Sequence, residues 1–208
     1  MRVPPELAVW GSTPGRAHGR SSSLVRPDRE LLTGVVEVDE TFIGGFNAGS
    51  GGGNRDKVPV MVAVERLGSH RGRIRLQVAT APGSLELVDF AASVVAPGST
   101  IRTDGARMLR RLAAMGYTHE YVTGYNAEDK TSVLPGVHLV ASLLKRWLIG
   151  TLHYGIADSH LPYYLDEYTF RFNRRTSRSR GLLFYRLLQQ AVNTDPHPLA
   201  TLIRPDQQ

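Results

Sequence analysis

The sequence predicts an α/β fold: a mixed sheet, built as a three-strand antiparallel meander plus two further strands, with flanking helices. Three observations predict it. Valine-rich or alternating apolar runs at 35–43, 58–67 and 73–79 follow one another with only loops between them. From residue 84 onward, helical segments alternate with two short strand-like segments. A chain of 208 residues with 41% hydrophobic side chains is long enough for one good-sized core.

Residues 1–33 carry Pro4, Pro5, Pro14 and Pro27, with Gly11, Gly15, Gly19 and three consecutive serines from Ser21. They read as an irregular, loosely ordered arm, apart from a short helix near 30–32. The first strand stops at Gly44-Gly45, and a glycine-rich loop spans 46–57. A phosphate-cradling loop leads into a helix, whereas a strand follows this one, so it reads as a connection. The second and third strands are separated by a turn at 68–72. Ser84 caps a helix over 85–95, with Glu86 in its first turn and Pro97-Gly98 beyond its end. A fourth strand, 100–103, delivers Asp104. A helix over 106–115 is stopped by Gly116, and 120–123 is a fifth strand. Pro135-Gly136 opens the helix that carries His138 and Lys145, and two more helices are expected near 160–172 and 182–192. The division that follows is an arm (1–33), one domain (34–193) and a tail (194–208).

Composition excludes several classes. The chain has no cysteine, which removes disulfides, thiol catalysis and cysteine-ligated zinc. It has no run of 18 apolar residues and no apolar stretch of signal-peptide type at its start. A cytoplasmic protein fits best. The net charge of +6 favours a polyanionic partner mildly. Its distribution says more, because Arg171, Arg174, Arg175, Arg178 and Arg180 fall within ten residues. A guanidinium can hold two phosphate oxygens at once, so such a cluster suits a phosphate backbone.

Two aspartates stand at strand ends, Asp39 after an apolar run and Asp104 before Gly105. Cleaving or transferring a phosphodiester needs an activated nucleophile and charge stabilisation on the entering and leaving oxygens. Two divalent ions can supply both, and such hard ions take oxygen ligands. Alone, a strand-end aspartate is more commonly a turn residue. A third element makes the pair specific. His138 and Lys145 lie seven apart, close to two helical turns, on one face of a helix. Strand alternation sends Glu40 to the face opposite Asp39, while Glu37 shares Asp39's own face about 7 Å further back. Trp147, Phe170, Phe172 and Phe184 are spaced as core residues of helices, His153 and His160 as packing or surface residues, and Glu167 as a partner for an arginine.

The residues resemble a family. The stretch Val36-Glu37-Val38-Asp39-Glu40-Thr41-Phe42-Ile43-Gly44-Gly45, then Thr103-Asp104-Gly105, and then Val137-His138 through Leu144-Lys145-Arg146-Trp147 follow one another in its order. Tyr164-Leu165-Asp166-Glu167 through Phe172-Asn173-Arg174-Arg175 completes the set. Together they resemble insertion-sequence transposases of the DDE superfamily, in the ISXO-like branch, from about residue 27 to 192. The resemblance implies a ribonuclease-H-like fold and a DNA transposase catalytic domain that cleaves and joins phosphodiesters with magnesium or manganese, two ions being expected. It implies Asp39 and Asp104 as the first two catalytic carboxylates and metal ligands. It puts His138 where the family has its third acidic residue, and makes Lys145 the lysine seven residues later. DNA phosphates are expected against Lys145, Arg146, Arg171, Arg174 and Arg175. Transposon ends and target DNA are the implied partners, a homo-oligomer on DNA the implied assembly, and a prokaryotic cytoplasm, at the nucleoid, the implied location.

The departure at His138 leaves two readings open. A histidine can ligate manganese or magnesium, less well than a carboxylate; or His138 marks a site that has lost activity. Members of the family usually carry an N-terminal zinc ribbon, which a cysteine-free chain does not hold. The expectation is therefore a truncated copy, or one whose start region is read out of frame, that binds transposon ends weakly and without sequence choice. Three functions remain: a transposase, a ribonuclease-H-like nuclease that hydrolyses without joining, and a catalytically inactive DNA-binding remnant.

Overall fold

Alternation along the first strand sorts its side chains onto two faces. A computed structural model describes residues 29–44, 57–80, 84–104, 107–121, 133–152 and 158–192. The expected arm up to residue 28, most of the glycine-rich loop, and the tail lie outside the described residues. In β1 (Val35–Gly44), Val36 and Val38 are buried on one face, and Glu37, Thr41 and Ile43 on the other. β2 (Lys57–Leu67) pairs with it antiparallel along its whole length, from Val35 against Arg66 to Gly44 against Lys57. β3 (His70–Val78) pairs antiparallel with β2, so the expected meander forms. The turn between them is tighter than the expected 68–72. Gly68 sits at φ 61, a conformation that costs glycine little, and Leu67 already pairs with His70.

After α1 (Ser84–Val94), β4 (Thr100–Thr103) lies parallel to β1. A 3-10 turn, Arg107–Arg110, runs into the single turn of α2 (Arg111–Ala114). The expected ten-residue helix is thus split evenly between a 3-10 and an α-helical turn, and its stop at Gly116 holds, with φ 88. β5 (Thr118–Tyr121) pairs parallel with β4, two residues earlier than expected. The sheet order is β3-β2-β1-β4-β5, which is the mixed α/β sheet of a ribonuclease-H-like fold. The short helix expected near 30–32 does not form. Leu32 is fully buried and makes a parallel bridge to Val95, giving its N–H to Val94 O at 2.8 Å and accepting from Ala96 N at 2.8 Å.

Two apolar layers cover the sheet. On the Val36 and Val38 face, Leu87, Val88, Phe90 and Ala91 of α1 pack with Leu109, Leu112 and Tyr117. On the Glu37 face lie α3 (Pro135–Leu152) and α4 (Leu161–Asn173), the latter entered through a 3-10 turn at Asp158–His160. Val137, Val140, Leu144 and Leu148 of α3 and Leu161 and Leu165 of α4 pack there on Val60, Val62, Val64 and Ile74. Each of these buried leucines contributes roughly 2 kcal/mol, and together they seat α3 over β1 and β2. α5 (Arg180–Val192) closes the described chain.

Candidate active site

The position of Asp39 differs from its expectation, and the difference matters. It does not end its strand: β1 runs on to Gly44, because β2 pairs with it throughout. What ends near Asp39 is the other neighbour. β4 pairs with β1 only over Val35–Glu37, matched to Thr100–Arg102. Continued two residues past its last pair, that register would lead Asp39 toward the level of Asp104. Asp104 itself is exposed, just past the last residue of β4. Thr103, fully buried before it, pins the strand end through a 2.9 Å hydrogen bond between its Oγ1 and His119 Nε2 on β5.

The charges of two other expected residues reach Asp39. Burial pushes the half-buried Asp39 carboxyl up to about 6; the N–H of Glu40, donating to Oδ1 at 2.8 Å, opposes this, the charge of Asp104 adds to it, and His138 opposes it again. Asp104, just past the end of β4, and His138, in the first turn of α3, thus both act on the charge of Asp39 in β1. His138 is exposed. Lys145, two turns on, is also exposed; partial burial, and then the charge of Lys57, hold its ammonium below the usual lysine value. Arg146 is exposed next to it.

Among the described residues, no group of three or more His, Asp or Glu side chains forms a ready-made metal cage. The donors still fit a hard divalent ion. Magnesium commonly takes one or two carboxylates and fills its remaining positions with water and substrate phosphate. The repulsion between Asp39 and Asp104 is the charge arrangement that a cation relieves.

One side chain escaped sequence reasoning beyond its face. Glu37 is 0% exposed, and its Oε2 accepts from Gly136 N at 2.6 Å and Val137 N at 3.1 Å. Oε1 lies 3.5 Å from Arg66 Nε. The only advance signal was a carboxylate on the face that also carries Thr41 and Ile43.

The arginines divide. Arg171 pairs with Glu167 at 2.6 Å, the structural partnership expected of that glutamate. Arg174 stacks over Phe170 at 3.9 Å. Arg175 stacks over Phe172 at 4.1 Å and donates to the carbonyls of Phe172, Gly72 and Arg71. These last two tie the end of α4 to its own rings and to the start of β3. Arg178 is exposed. Trp147 meets Tyr168 with ring centroids 5.6 Å apart, and Phe170 is buried, both as core residues. Phe184 is not core: it is 64% exposed, on a helix where Leu182, Tyr185, Leu188 and Val192 are exposed too. His160 sits half-buried at the start of α4, and His153 lies outside the described residues.

No curated protein matches the chain. Residues 31–173, well over half of it, match the ISXO2-like transposase domain, and the chain belongs to that family of DDE-type transposases.

Proposed function

We propose that residues 34–193 form a DNA transposase catalytic domain that cleaves phosphodiesters at the ends of an insertion sequence and joins them to target DNA. The observation that carries this reading is the parallel β1–β4 register that leads Asp39 toward Asp104, with the charges of Asp104 and His138 both acting on Asp39. In this reading Asp39 and Asp104 hold two magnesium or manganese ions, with His138 as a neutral imidazole ligand. Bound there, the ions supply activation of the attacking oxygen and charge stabilisation on the leaving one. The protein's own part is orientation. Asp39 is held by the N–H of Glu40, Asp104 by the anchored end of β4, and His138 by the seat of α3. Lys145 offers its ammonium to a phosphate near the reacting bond, and Arg146, Arg171, Arg174 and Arg175 hold the backbone further away. The DNA-bound state is proposed as a homo-oligomer, at work in a prokaryotic cytoplasm on the nucleoid.

An imidazole favours manganese over magnesium more than a carboxylate does. Strand transfer is therefore expected to be several-fold faster with manganese, and His138→Glu is expected to narrow that preference. The deciding experiment incubates the protein with labelled transposon-end DNA and a target plasmid. Joined product supports a transposase; nicked DNA without joining supports the hydrolytic alternative. Because His138 replaces a carboxylate, a second reading stands: an inactive DNA-binding remnant. It prevails if neither metal gives product and Asp39→Ala alters neither metal binding nor DNA binding.

A further inference from the structure

The first turn of α3 contains no acidic residue, yet its amides are capped. The cap comes from Glu37, 99 residues earlier in the chain than Gly136. One oxygen of that carboxylate accepts from two successive N–H groups, those of Gly136 and Val137. The next residue is His138. Two residues from Glu37 along β1, on the same face, is Asp39. A single buried side chain thus bridges the two segments that bring Asp39 and His138 together.

We propose that Glu37 is a positioning residue of the active site, fixing the register of α3 on β1. This rests on the reading of Asp39 and His138 as site residues. Three features support a positioning role. A buried ion pair is seldom better for stability than packed apolar groups, and Oε1 makes no hydrogen bond among the described residues, with Arg66 Nε standing 3.5 Å off. Leucine would fill the space but grip no N–H, whereas a carboxylate grips directionally. The seat is also closed around it. A Cβ on Gly136 would stand 2.7 Å from Glu37 Oε2 and 3.2 Å from Cδ and Nε of Arg71, so glycine there lets the helix start directly on the carboxylate. A displacement of about 1 Å at a reacting centre can cost a hundredfold in rate.

The test compares Glu37→Met, Glu37→Gln and Gly136→Ala in the full chain. Glutamine retains an acceptor oxygen, methionine retains only volume, and Gly136→Ala crowds the oxygen from its seat while leaving Glu37 intact. Strand transfer with manganese is expected to lose roughly a hundredfold in kcat for Glu37→Met and for Gly136→Ala, with KM for DNA unchanged. Glu37→Gln is expected to stay within tenfold of the parent. Independently of activity, amide hydrogen exchange at residues 136 and 137 is expected to speed up in Glu37→Met while the rest of α3 stays protected. The manganese-induced broadening of the His138 ring signal in NMR is expected to weaken with it. A folded Glu37→Met with kcat within threefold of the parent overturns the proposal. If Glu37→Met does not fold, Gly136→Ala decides by the same criterion. If the parent shows no strand transfer, the transposase reading fails, and amide exchange and His138 broadening still decide whether Glu37 sets the helix.

Discussion

At the scale of single residues, the acidic side chains of β1 and β2 do opposite work. Glu65 is 4% exposed on β2. Burial would raise its pKa, but the side chain of Arg73, bonded at 3.0 and 2.8 Å, outweighs it, with help from the N–H groups of Thr33 and Arg73, and holds it at about 2. Its folded value lies below the ordinary 4.5, so the stabilisation is complete above about pH 4.5 and is lost as pH falls toward 2. Glu65→Gln is expected to cost on the order of 3 kcal/mol at pH 7. The gap between the two melting curves should narrow as both are measured from pH 7 down to 3; a constant gap would remove the ion pair as its cause. Asp39 is the converse case, a half-buried carboxylate beside another. Asp39→Asn removes a charge that burial, and after it the charge of Asp104, disfavours in the free protein, so it is expected to raise the melting temperature without metal by a few degrees, equivalent to about 1 kcal/mol, while abolishing strand transfer. A variant that is both less stable and inactive would mean that Asp39 serves the fold instead.

At the scale of elements, the strands and long helices were legible and their connections to one another were not. Period-two alternation in 58–67 and 73–79 reports a face that each strand must bury, whatever its neighbours are, so the meander could be read locally. The strand limits at His70 and Thr118 depend on which residues pair across the sheet, and no local pattern records that. Asp39 and Asp104 were legible as residue types at chosen places, but what leads one toward the other is the β1–β4 register. Glu37 and Asn173 were hidden for the same reason, each meeting its partner 99 residues away. Asn173 ends α4 and pairs with both backbone groups of Ile74, accepting from its N–H at 2.7 Å and donating to its carbonyl at 3.1 Å. β3 is an edge strand, and this amide occupies the place of a strand that is not there. Asn173→Ala is expected to leave the Ile74 N–H without its acceptor on a free edge, while the Ile74 carbonyl still accepts from Arg75 Nη1 at 2.9 Å; the loss should cost about 2 kcal/mol and promote association through β3. Chemical denaturation and light scattering would read the two effects. Unchanged stability would show that water replaces the amide without cost.

At the scale of the whole molecule, the charge of +6 acts through where its cations are free to meet a phosphate. Arg174 and Arg175 are already committed to Phe170, Phe172 and the backbone of β3. Arg146 is exposed on α3, and Arg171 is exposed on α4 although paired with Glu167. An exposed pair of this kind is worth at most about 1 kcal/mol, little enough for a DNA phosphate to displace the carboxylate. Removing one cation from the phosphate backbone should reduce the slope of log K against log salt by roughly 0.9. Arg146→Gln with Arg171→Gln is therefore expected to flatten that slope by about 2, without shifting the melting temperature by more than a degree or so. Arg175→Gln is expected to lower the melting temperature as well as the affinity, because its guanidinium also holds α4 to β3. Fluorescence anisotropy with a labelled duplex at low and at near-physiological salt measures the slopes, and thermal melts of the same samples measure the stability. A slope unmoved by the double substitution would place the DNA path away from α3 and α4, and would leave Lys145 as the helix's sole candidate for holding a phosphate.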